Sequence, residues 1–373
     1  MTVTTLAGVG ETVRHVGERV EERLRVVLGD DHDRYAPLAT AAPDVVEATR
    51  TAALSGGKRL RPALAFLGFV GAGGAADDPR VIDLGVALEL LHTACLVHDD
   101  VMDDSPTRRG LPTTHVRFED AHRRSGYAGE PRRFGEGVAV AVGDFAFFSS
   151  MGLLVGAPAA AQREFFQMAK DVCVGQYLDL LAAAAPADGA PDPEVIAGYK
   201  TARYTVEGPL RLGAALAGRL ADLGDALTGY GRPVGLAYQL RDDLIGALGD
   251  PAVTGKPAGD DLRQGKRTLL LTLARRHLPP DDPAARALLD RVDTGRLREA
   301  EVPAVRRLLR DLAIHDHVAG ACAALAAEAV EAIAKADLGP AVRRHLIQFA
   351  GHVADVSAID ALPGRPAGTE GAP

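Results

Sequence analysis

One stretch restricts the possible folds more than any other. Residues 81–97 read VIDLGVALELLHTACLV, a helix-period pattern that is apolar nearly all round. Such a helix has no polar face to turn to water, so it must be buried inside a larger protein. No convincing set of alternating strands is found, and further helix-period stretches rich in alanine and leucine cover residues 163–181, 205–220, 234–248, 268–277 and 319–334. The sequence therefore predicts an all-α fold.

Breaks rich in glycine, proline or aspartate separate these stretches. They fall at residues 71–79, 123–137, 185–193, 249–259 and 278–283. The final residues, 363–373, read PGRPAGTEGAP and are predicted to be disordered. We therefore expect one helical domain over residues 1–362, followed by a disordered tail.

Composition excludes several classes of protein. With 47% hydrophobic and 25% charged residues the chain is globular, and its net charge of −8 argues against a bulk nucleic-acid binder. Its cysteines, Cys95, Cys173 and Cys322, are widely spaced and odd in number, which argues against a disulfide framework and a zinc cluster. No signal peptide or transmembrane span is expected. These features predict a cytoplasmic protein.

The most apolar helix ends in the acidic sequence HDDVMDD, residues 98–104. Helical spacing would place Asp99 and Asp103 on one face, and likewise Asp100 and Asp104. Like charges at this spacing destabilise a helix by about 0.2–0.5 kcal/mol per pair, so a compensating cation is expected. Magnesium suits the position because it takes one or two carboxylates together with water and phosphate oxygens. The alternative is a solvated acidic helix end.

A second acidic pair, Asp242 and Asp243, closes another apolar helix in the sequence YQLRDDLI. An uncompensated carboxylate at the end of a buried helix is costly. Two such pairs, far apart in sequence, predict facing walls of one metal site inside a helical cavity.

Basic clusters supply the opposite charge. Lys58 and Arg61 lie in GGKRLRP, where two glycines let the backbone approach a ligand and the cations reach phosphate oxygens, although the spacing is not that of a P-loop. Any single cluster could be a solvated surface patch. Together they predict a site for two phosphorylated substrates, and the other members are Arg108, Arg109, Lys200, Thr201, Lys256, Lys266 and Arg267.

The motifs GGKRLRP, HDDVMDDSPTRRG, YKTARYT, YQLRDDLIG and GDPAVTGKPAGDDLRQGKRT together resemble the trans-isoprenyl diphosphate synthases, or polyprenyl synthetases. They occur in that family's order and cover roughly residues 50–273. The resemblance implies a single-domain helical bundle of the isoprenoid synthase type with a central cavity. It also implies magnesium as the cofactor, up to three ions, and a homodimer. The implied substrates are isopentenyl diphosphate and an allylic diphosphate, namely dimethylallyl, geranyl or farnesyl diphosphate.

The resemblance also assigns roles to residues, which are carried over only where the motifs match. Magnesium would be bound by Asp99, Asp103 and Asp242, supported by Asp100 and Asp243. The allylic diphosphate would be held by Arg108, Lys200, Thr201, Gln239, Lys256 and Lys266. Isopentenyl diphosphate would be held by Lys58, Arg61, His92 and Arg109. For His92 the alternative is a hydrogen-bonded histidine of the core.

The second acidic motif departs from the family pattern, which has a third aspartate where this chain has Gly246. The loss is expected to weaken the second metal wall without abolishing it. Asp250 could compensate only if the helix continued past Gly249, and Pro251 argues against that.

Product length can be argued from the helix that leads to Asp99. Leu91 and Cys95 precede Asp99 by eight and four residues, so they share its face and should point along the path of the growing chain, with Ala94 beside them. Because Ala94 and Cys95 are small, we expect a product of twenty carbons or more, and geranylgeranyl diphosphate above all. The alternative is that both simply pack a helix crossing.

Two other functions are compatible with parts of the pattern. A class I terpene cyclase shares the first acidic motif, but it would carry a different second metal motif and needs no isopentenyl site. A non-catalytic subunit of a heteromeric synthase would explain Gly246. The basic set of Lys58, Arg61 and Arg109 favours the transferase.

Overall fold

A computed structural model describes residues 8–42, 44–185, 189–249, 262 and 268–356. Several residues singled out in the sequence lie outside these ranges. They are Lys256, Lys266, Arg267, Asp250 and the predicted tail 363–373.

The first half of the chain forms seven helices within the described ranges. They are α1 (Val9–Tyr35), α2 (Asp44–Leu54), α3 (Leu60–Gly71), α4 (Pro79–Met102), α5 (Thr114–Ser125), α6 (Pro131–Gly152) and α7 (Ala159–Ala184). Between α4 and α5 the two-residue strands β1 (Thr107–Arg108) and β2 (Leu111–Pro112) pair antiparallel, with Thr107 opposite Pro112.

The second half is also helical. It comprises α8 (Pro193–Ala197), a π-helical segment (Gly198–Glu207), α9 (Gly208–Leu216), α10 (Leu220–Leu248), α11 (Leu269–His277), α12 (Pro283–Asp293), a short 3₁₀ helix (Glu299–Glu301), α13 (Val302–Asp311), α14 (Ile314–Ala334) and α15 (Pro340–Ala354). The all-α fold class is confirmed.

Helix α4 is buried in the way that its sequence predicts. Asp78 caps its first turn by accepting a hydrogen bond from the Arg80 N–H at 2.9 Å, and Pro79 takes the first helical position, where its missing N–H costs nothing. Leu84, Leu88 and other side chains all round the helix are buried. The burial explains why no face of α4 is polar.

Two of the described helices, α4 and α14, are long and apolar enough to cross a membrane by length and composition alone. In α4, 72% of the most apolar window is buried within the protein, as in a core helix, whereas in α14 the figure is 28%. The absence of a membrane span therefore stays a prediction.

The predicted break at residues 123–137 is shorter in the structure, where only Gly126–Glu130 separate α5 from α6. The carboxylate of Glu130 accepts hydrogen bonds from the N–H groups of Arg132 and Arg133, and Pro131 takes the first helical position. This cap starts the helix six residues before the predicted end of the break.

The described residues fall into two compact units. The first comprises those of Met1–Ala169, Gly208–Gly224 and Asp337–His345, and the second those of Lys170–Glu207, Asp225–Ala336 and Leu346–Pro373. The prediction of a single domain over residues 1–362 stays a prediction.

Close backbone contacts at glycine bring helices together within each unit. In the first unit a Cβ at Gly68 of α3 would lie 2.2 Å from the carbonyl oxygen of Leu210 in α9. In the second unit a Cβ at Gly235 of α10 would lie 2.4 Å from Cα of Ala202 in the π-helical segment. Any side chain at either position would force the two elements apart.

Candidate active site

Asp99 and Asp103 lie where α4 ends. The last residue of the helix is Met102, and Asp103 closes it by donating its N–H to the carbonyl oxygen of Asp99 at 2.8 Å. The two residues therefore keep the one-turn spacing that the sequence predicts.

Asp100 and Asp104 do not share a face, so that prediction is wrong. The chain leaves the helix at Asp104, whose φ of 50° is left-handed. Asp104 is exposed and pairs with Arg132 at 3.3 Å, whereas Asp100 is only 4% exposed and accepts a hydrogen bond from Nε of Arg108 at 2.7 Å. The four carboxylates are therefore not two equivalent pairs, because Asp100 is buried and Asp104 is exposed.

Arg108, on strand β1, joins the first acidic pair. Its guanidinium lies 3.3 Å from Oδ2 of Asp99 as well as against Asp100. Burial alone would lower the pKa of Arg108, but the hydrogen bond and charge of Asp100 outweigh it and the pKa is raised. Burial raises the pKa of Asp100, and Arg108 opposes that effect. Arg108 thus neutralises part of the acidic charge from the protein side.

The acidic end of α4 suits a hard divalent cation. Among the described residues no group of three or more His, Cys, Asp or Glu side chains forms a closed metal cage. Magnesium does not require one, because it is usually held by one or two carboxylates and completes its shell with water and phosphate oxygens. Asp99 and Asp103, one turn apart, provide that number of carboxylates.

His98 fixes the same end of α4 against α6. Its Nε2 lies 3.2 Å from the carbonyl oxygen of Val140 and 3.6 Å from Oδ1 of Asp144. A Cβ at Gly143 would lie 2.1 Å from this nitrogen, so only glycine leaves room for the ring. The sequence reasoning missed this contact, although an isolated glycine in an apolar helix is the signal that could have indicated it.

Arg109 contacts the loop that begins the GGKRLRP segment. Gly56 and Gly57 have backbone φ angles of 100° and 141°, which residues other than glycine rarely adopt. The Nη1 of Arg109 donates to the carbonyl oxygen of Gly56 and to Oγ of Ser55, the latter at 3.1 Å. A Cβ at Gly57 would lie 3.1 Å from Nη2 of Arg109, so the loop backbone packs directly on the guanidinium.

Positive charge accumulates beside this loop. Desolvation lowers the pKa of His92 well below its ordinary value, and the charges of Arg61, Arg109 and Arg108 lower it further. Both effects favour the neutral form of the His92 imidazole. Desolvation also lowers the pKa of Arg109, and the charge of Arg59 adds to the effect. Cationic side chains held this close together would favour a bound anion, and their role in binding one stays a prediction.

Lys200 and Thr201 lie in the π-helical segment, a rare conformation that often occurs at functional sites. Nζ of Lys200 lies 2.5 Å from Oδ2 of Asp179 in α7. A Cβ at Gly175 would lie 2.6 Å from the backbone nitrogen of Lys200, so α7 contacts the segment directly. Asp179 was not predicted from the sequence, because it belongs to none of the motifs. It lies one helical turn after Gly175 on α7.

The two aspartates of the second acidic pair differ in burial. Asp242 is exposed, whereas Asp243 is 5% exposed and accepts a hydrogen bond from Nε2 of Gln239 at 2.5 Å. Helix α10 ends at Leu248, two residues after Gly246, in agreement with the expected break. That the two acidic motifs face each other stays a prediction, as do the ligand roles assigned to individual residues.

The residues expected to set product length lie on the buried part of α4. Leu91 and Ala94 are 2% and 3% exposed, and Cys95 is half-buried. The role of these three residues in setting product length stays a prediction.

Comparison with known proteins identifies the family. The family profile described as polyprenyl synthetase matches residues 43–307, well over half of the chain. The chain belongs to the polyprenyl synthetase family. As a member of it, the protein is a trans-prenyl diphosphate synthase, a transferase of isoprenoid biosynthesis that uses isoprenyl diphosphate substrates.

Similar members of the polyprenyl synthetase family differ in product. A geranylgeranyl diphosphate synthase of Mycobacterium tuberculosis is 34% identical over 286 residues, covering 72% of this chain and 75% of its own. A geranylfarnesyl diphosphate synthase of Aeropyrum pernix is 33% identical over 269 residues, covering 66% of this chain and 79% of its own. Membership of the family therefore does not fix the length of the product.

A solved structure supports the fold and a divalent metal for this family. Geranylgeranyl pyrophosphate synthase from Corynebacterium glutamicum, complexed with isoprenyl diphosphate and magnesium, matches with a TM-score of 0.84 and 33% identity. The match covers 91% of this chain and 98% of that one.

Proposed function

We propose that this chain condenses isopentenyl diphosphate with an allylic diphosphate and releases geranylgeranyl diphosphate. One observation carries the proposal. His92, among the arginines, and Asp99, beside Arg108, lie on one helix, α4, seven residues or about 10 Å apart along the axis. A single rigid element thus supports a cationic site and an acidic site at a separation suited to two adjacent diphosphates.

We infer that Asp99, Asp103 and Asp242 would hold magnesium, up to three ions, with Asp100 and Asp243 supporting them. When bound, magnesium would act as a Lewis acid that neutralises the charge developing on the leaving diphosphate. The number of carboxylates at the end of α4 fits this role.

The protein's own groups would position both substrates. Lys58, Arg61 and Arg109 would hold isopentenyl diphosphate alongside the allylic chain, and neutral His92 would contribute a hydrogen bond without another charge. Positioning and electrostatic stabilisation would supply most of the rate acceleration. The proton lost at the end would go to the departing diphosphate.

The allylic diphosphate would be held by Arg108 and Lys200. Lys200 pairs with Asp179, so binding of a diphosphate would exchange one anionic partner for another. The other residues proposed for this role are Thr201, Gln239, Lys256 and Lys266.

The product of twenty carbons is proposed from the small side chains Ala94 and Cys95 and from the relative in Mycobacterium tuberculosis. We propose further that the protein is a cytoplasmic homodimer. Exposed apolar side chains on and just after α6 support the dimer, since Phe148 is 65% and Val155 84% exposed.

Replacing Asp99 tests the proposed reaction. With isopentenyl and farnesyl diphosphates, Asp99→Ala is expected to lower turnover by about 100-fold or more, because the leaving group loses its electrostatic stabilisation. Asp104→Ala is the matched control, because this aspartate lies five residues on but pairs with Arg132 at the surface. Undiminished turnover of Asp99→Ala would reject the assignment.

The same purified chain separates the other functions. Hydrocarbon formed from geranylgeranyl diphosphate alone would identify a terpene cyclase. Inactivity of the chain on its own, with activity restored by a second subunit, would identify a non-catalytic partner, which Gly246 would then explain.

A further inference from the structure

Arg59 is buried at the point where the loop that carries Lys58 meets the first turn of α3, which carries Arg61. The residue is only 6% exposed, and its backbone has a left-handed φ of 47°. A residue with a Cβ adopts this conformation at a cost, and it persists only where the surroundings enforce it. The contacts of the side chain show what enforces it.

The guanidinium of Arg59 is held from three helices of the first unit. It donates to Oε2 of Glu89 in α4, to Oε1 of Glu21 in α1 at 3.1 Å, and to the carbonyl oxygen of Ala53 in α2 at 2.9 Å. Arg59 is itself the N-cap residue, immediately before the first residue of α3. One side chain therefore fixes the start of α3 against α1, α2 and α4.

The packing around the aliphatic part of Arg59 is equally specific. A Cβ at Gly17 of α1 would lie 3.1 Å from Cγ of Arg59, closer than most such contacts. The side chain thus occupies a slot between α1 and α4 that admits little sideways movement.

The charge of Arg59 is compensated by the carboxylates of Glu89 and Glu21. Burial alone would lower the pKa of Arg59, but Glu89 and Glu21 outweigh burial, and the pKa is raised. Glu89 is itself 4% exposed and lies one turn before His92 on α4. The same ion pair therefore fixes the loop in relation to His92 without supplying charge to a ligand.

We propose that Arg59, held by Glu89 and Glu21, is a positioning residue for isopentenyl diphosphate. It fixes the backbone of residues 55–58, so that Lys58 and the contact between Arg109 and Gly56 are preorganised for the diphosphate. Preorganisation of a binding loop raises affinity by removing the cost of ordering it. The inference rests on the proposed function, which assigns this loop to isopentenyl diphosphate.

The test removes the buried ion pair without leaving an isolated charge. In the double variant Arg59→Gln/Glu89→Gln the two buried partners become neutral, which avoids the penalty of an unpaired buried ion. Glu21 stays charged, but it is partly exposed and keeps Arg25 as a partner at 3.6 Å. Titration calorimetry would measure the binding of isopentenyl diphosphate and, separately, of the unreactive farnesyl thiodiphosphate. We expect the affinity for isopentenyl diphosphate to fall about tenfold while that for the thiodiphosphate changes less than about twofold. Amide hydrogen exchange over residues 54–60 should become faster.

Two further variants guard against a general loss of structure. Arg59→Lys keeps the charge but cannot reach all three acceptors, so an intermediate loss is expected. The control is Arg23→Gln/Asp83→Asn, because this pair, at 2.8 Å, also joins α1 to α4 but lies outside the loop. The control should leave both affinities unchanged.

The outcomes separate this inference from the proposed function. Unchanged affinity for isopentenyl diphosphate in the double variant, or equal weakening of both ligands with a lowered melting temperature, overturns the positioning role. Lys58→Ala is measured in parallel. If that variant also binds isopentenyl diphosphate like the wild type, the site assignment itself is wrong and the inference falls with it.

Discussion

Arg108 and Arg109 are adjacent in sequence, but their guanidiniums contact different parts of the protein. Arg108 donates to Asp99 and Asp100, whereas Arg109 donates to Gly56 across the basic loop. Arg109 has a left-handed φ of 53° and Gly110 one of 76°, a turn that directs the two guanidiniums differently. The sequence shows two arginines beside an acidic motif. Only the turn explains why Arg108 contacts the aspartates and Arg109 contacts the loop that carries Lys58.

At residue scale, the missing carboxylate of the second acidic motif can be restored. Gly246 lies one turn after Asp242 on α10, so Gly246→Asp would add a second carboxylate to the same face. We expect the magnesium concentration for half-maximal activity to fall by about threefold to tenfold, since ligand number sets affinity for hard cations. A magnesium titration of steady-state activity measures the change.

The control for this substitution is Ala221→Asp, which adds the same charge to the first turn of the same helix. It should leave the magnesium dependence unchanged. An equal shift in both variants would show that net charge, rather than ligation at Asp242, is responsible.

Product length is a second residue-scale prediction. Ala94→Phe places an aromatic ring on the buried face of α4 that leads to Asp99, and it is expected to shorten the main product by at least one isoprene unit. Mass spectrometry of the dephosphorylated products gives the distribution. Leu96→Phe, which points from another face of the helix, is the control, and an unchanged distribution in Ala94→Phe would contradict the proposed path of the chain.

At the scale of elements, the contact between α4 and α6 is decided by one glycine. Gly143→Ala would place a methyl group where the ring of His98 lies, so we expect the free energy of unfolding to fall by about 1–3 kcal/mol and turnover to fall with it. Denaturant unfolding and steady-state kinetics measure the two effects. Gly137→Ala on the same helix meets nothing within 4 Å and should be neutral or stabilising by about 1 kcal/mol.

Adding His98→Ala to Gly143→Ala relieves the overlap and distinguishes packing from positioning. Stability should recover, but turnover should stay low because the ring no longer fixes the helix end that carries Asp99. Recovery of both would show that His98 only fills space.

How far the elements could be predicted depended on their surroundings. The burial of α4 followed from its apolar pattern alone, because no other environment accommodates such a helix. The ten-residue π-helical segment around Lys200 could not be predicted from the sequence. It packs closely against Gly175 of α7 and Gly235 of α10, and no local sequence pattern reveals these contacts. The start of α10 at Leu220, well before the predicted residue 234, was hidden by Pro233, which normally disfavours a helix interior.

At the scale of the whole molecule, the sequence indicates candidate site residues, but it does not indicate the contacts that hold them in place. The acidic pairs and the basic loop are spaced motifs, so their residues could be named in advance. Arg59, His98 and Asp179 were not found, because each acts through a partner at least 20 residues away that only the folded chain brings near. Supporting contacts of this kind carry no local signature, and they are where the structure adds most.

The central claim is that Asp99, Asp103 and Asp242 hold a diphosphate through divalent ions. The most direct measurement is a crystal structure with farnesyl thiodiphosphate and manganese in place of magnesium, in which anomalous scattering locates the metal. The account predicts manganese peaks at bonding distance from carboxylate oxygens of all three aspartates and from the diphosphate. Peaks bound to the diphosphate but to none of these carboxylates would contradict it.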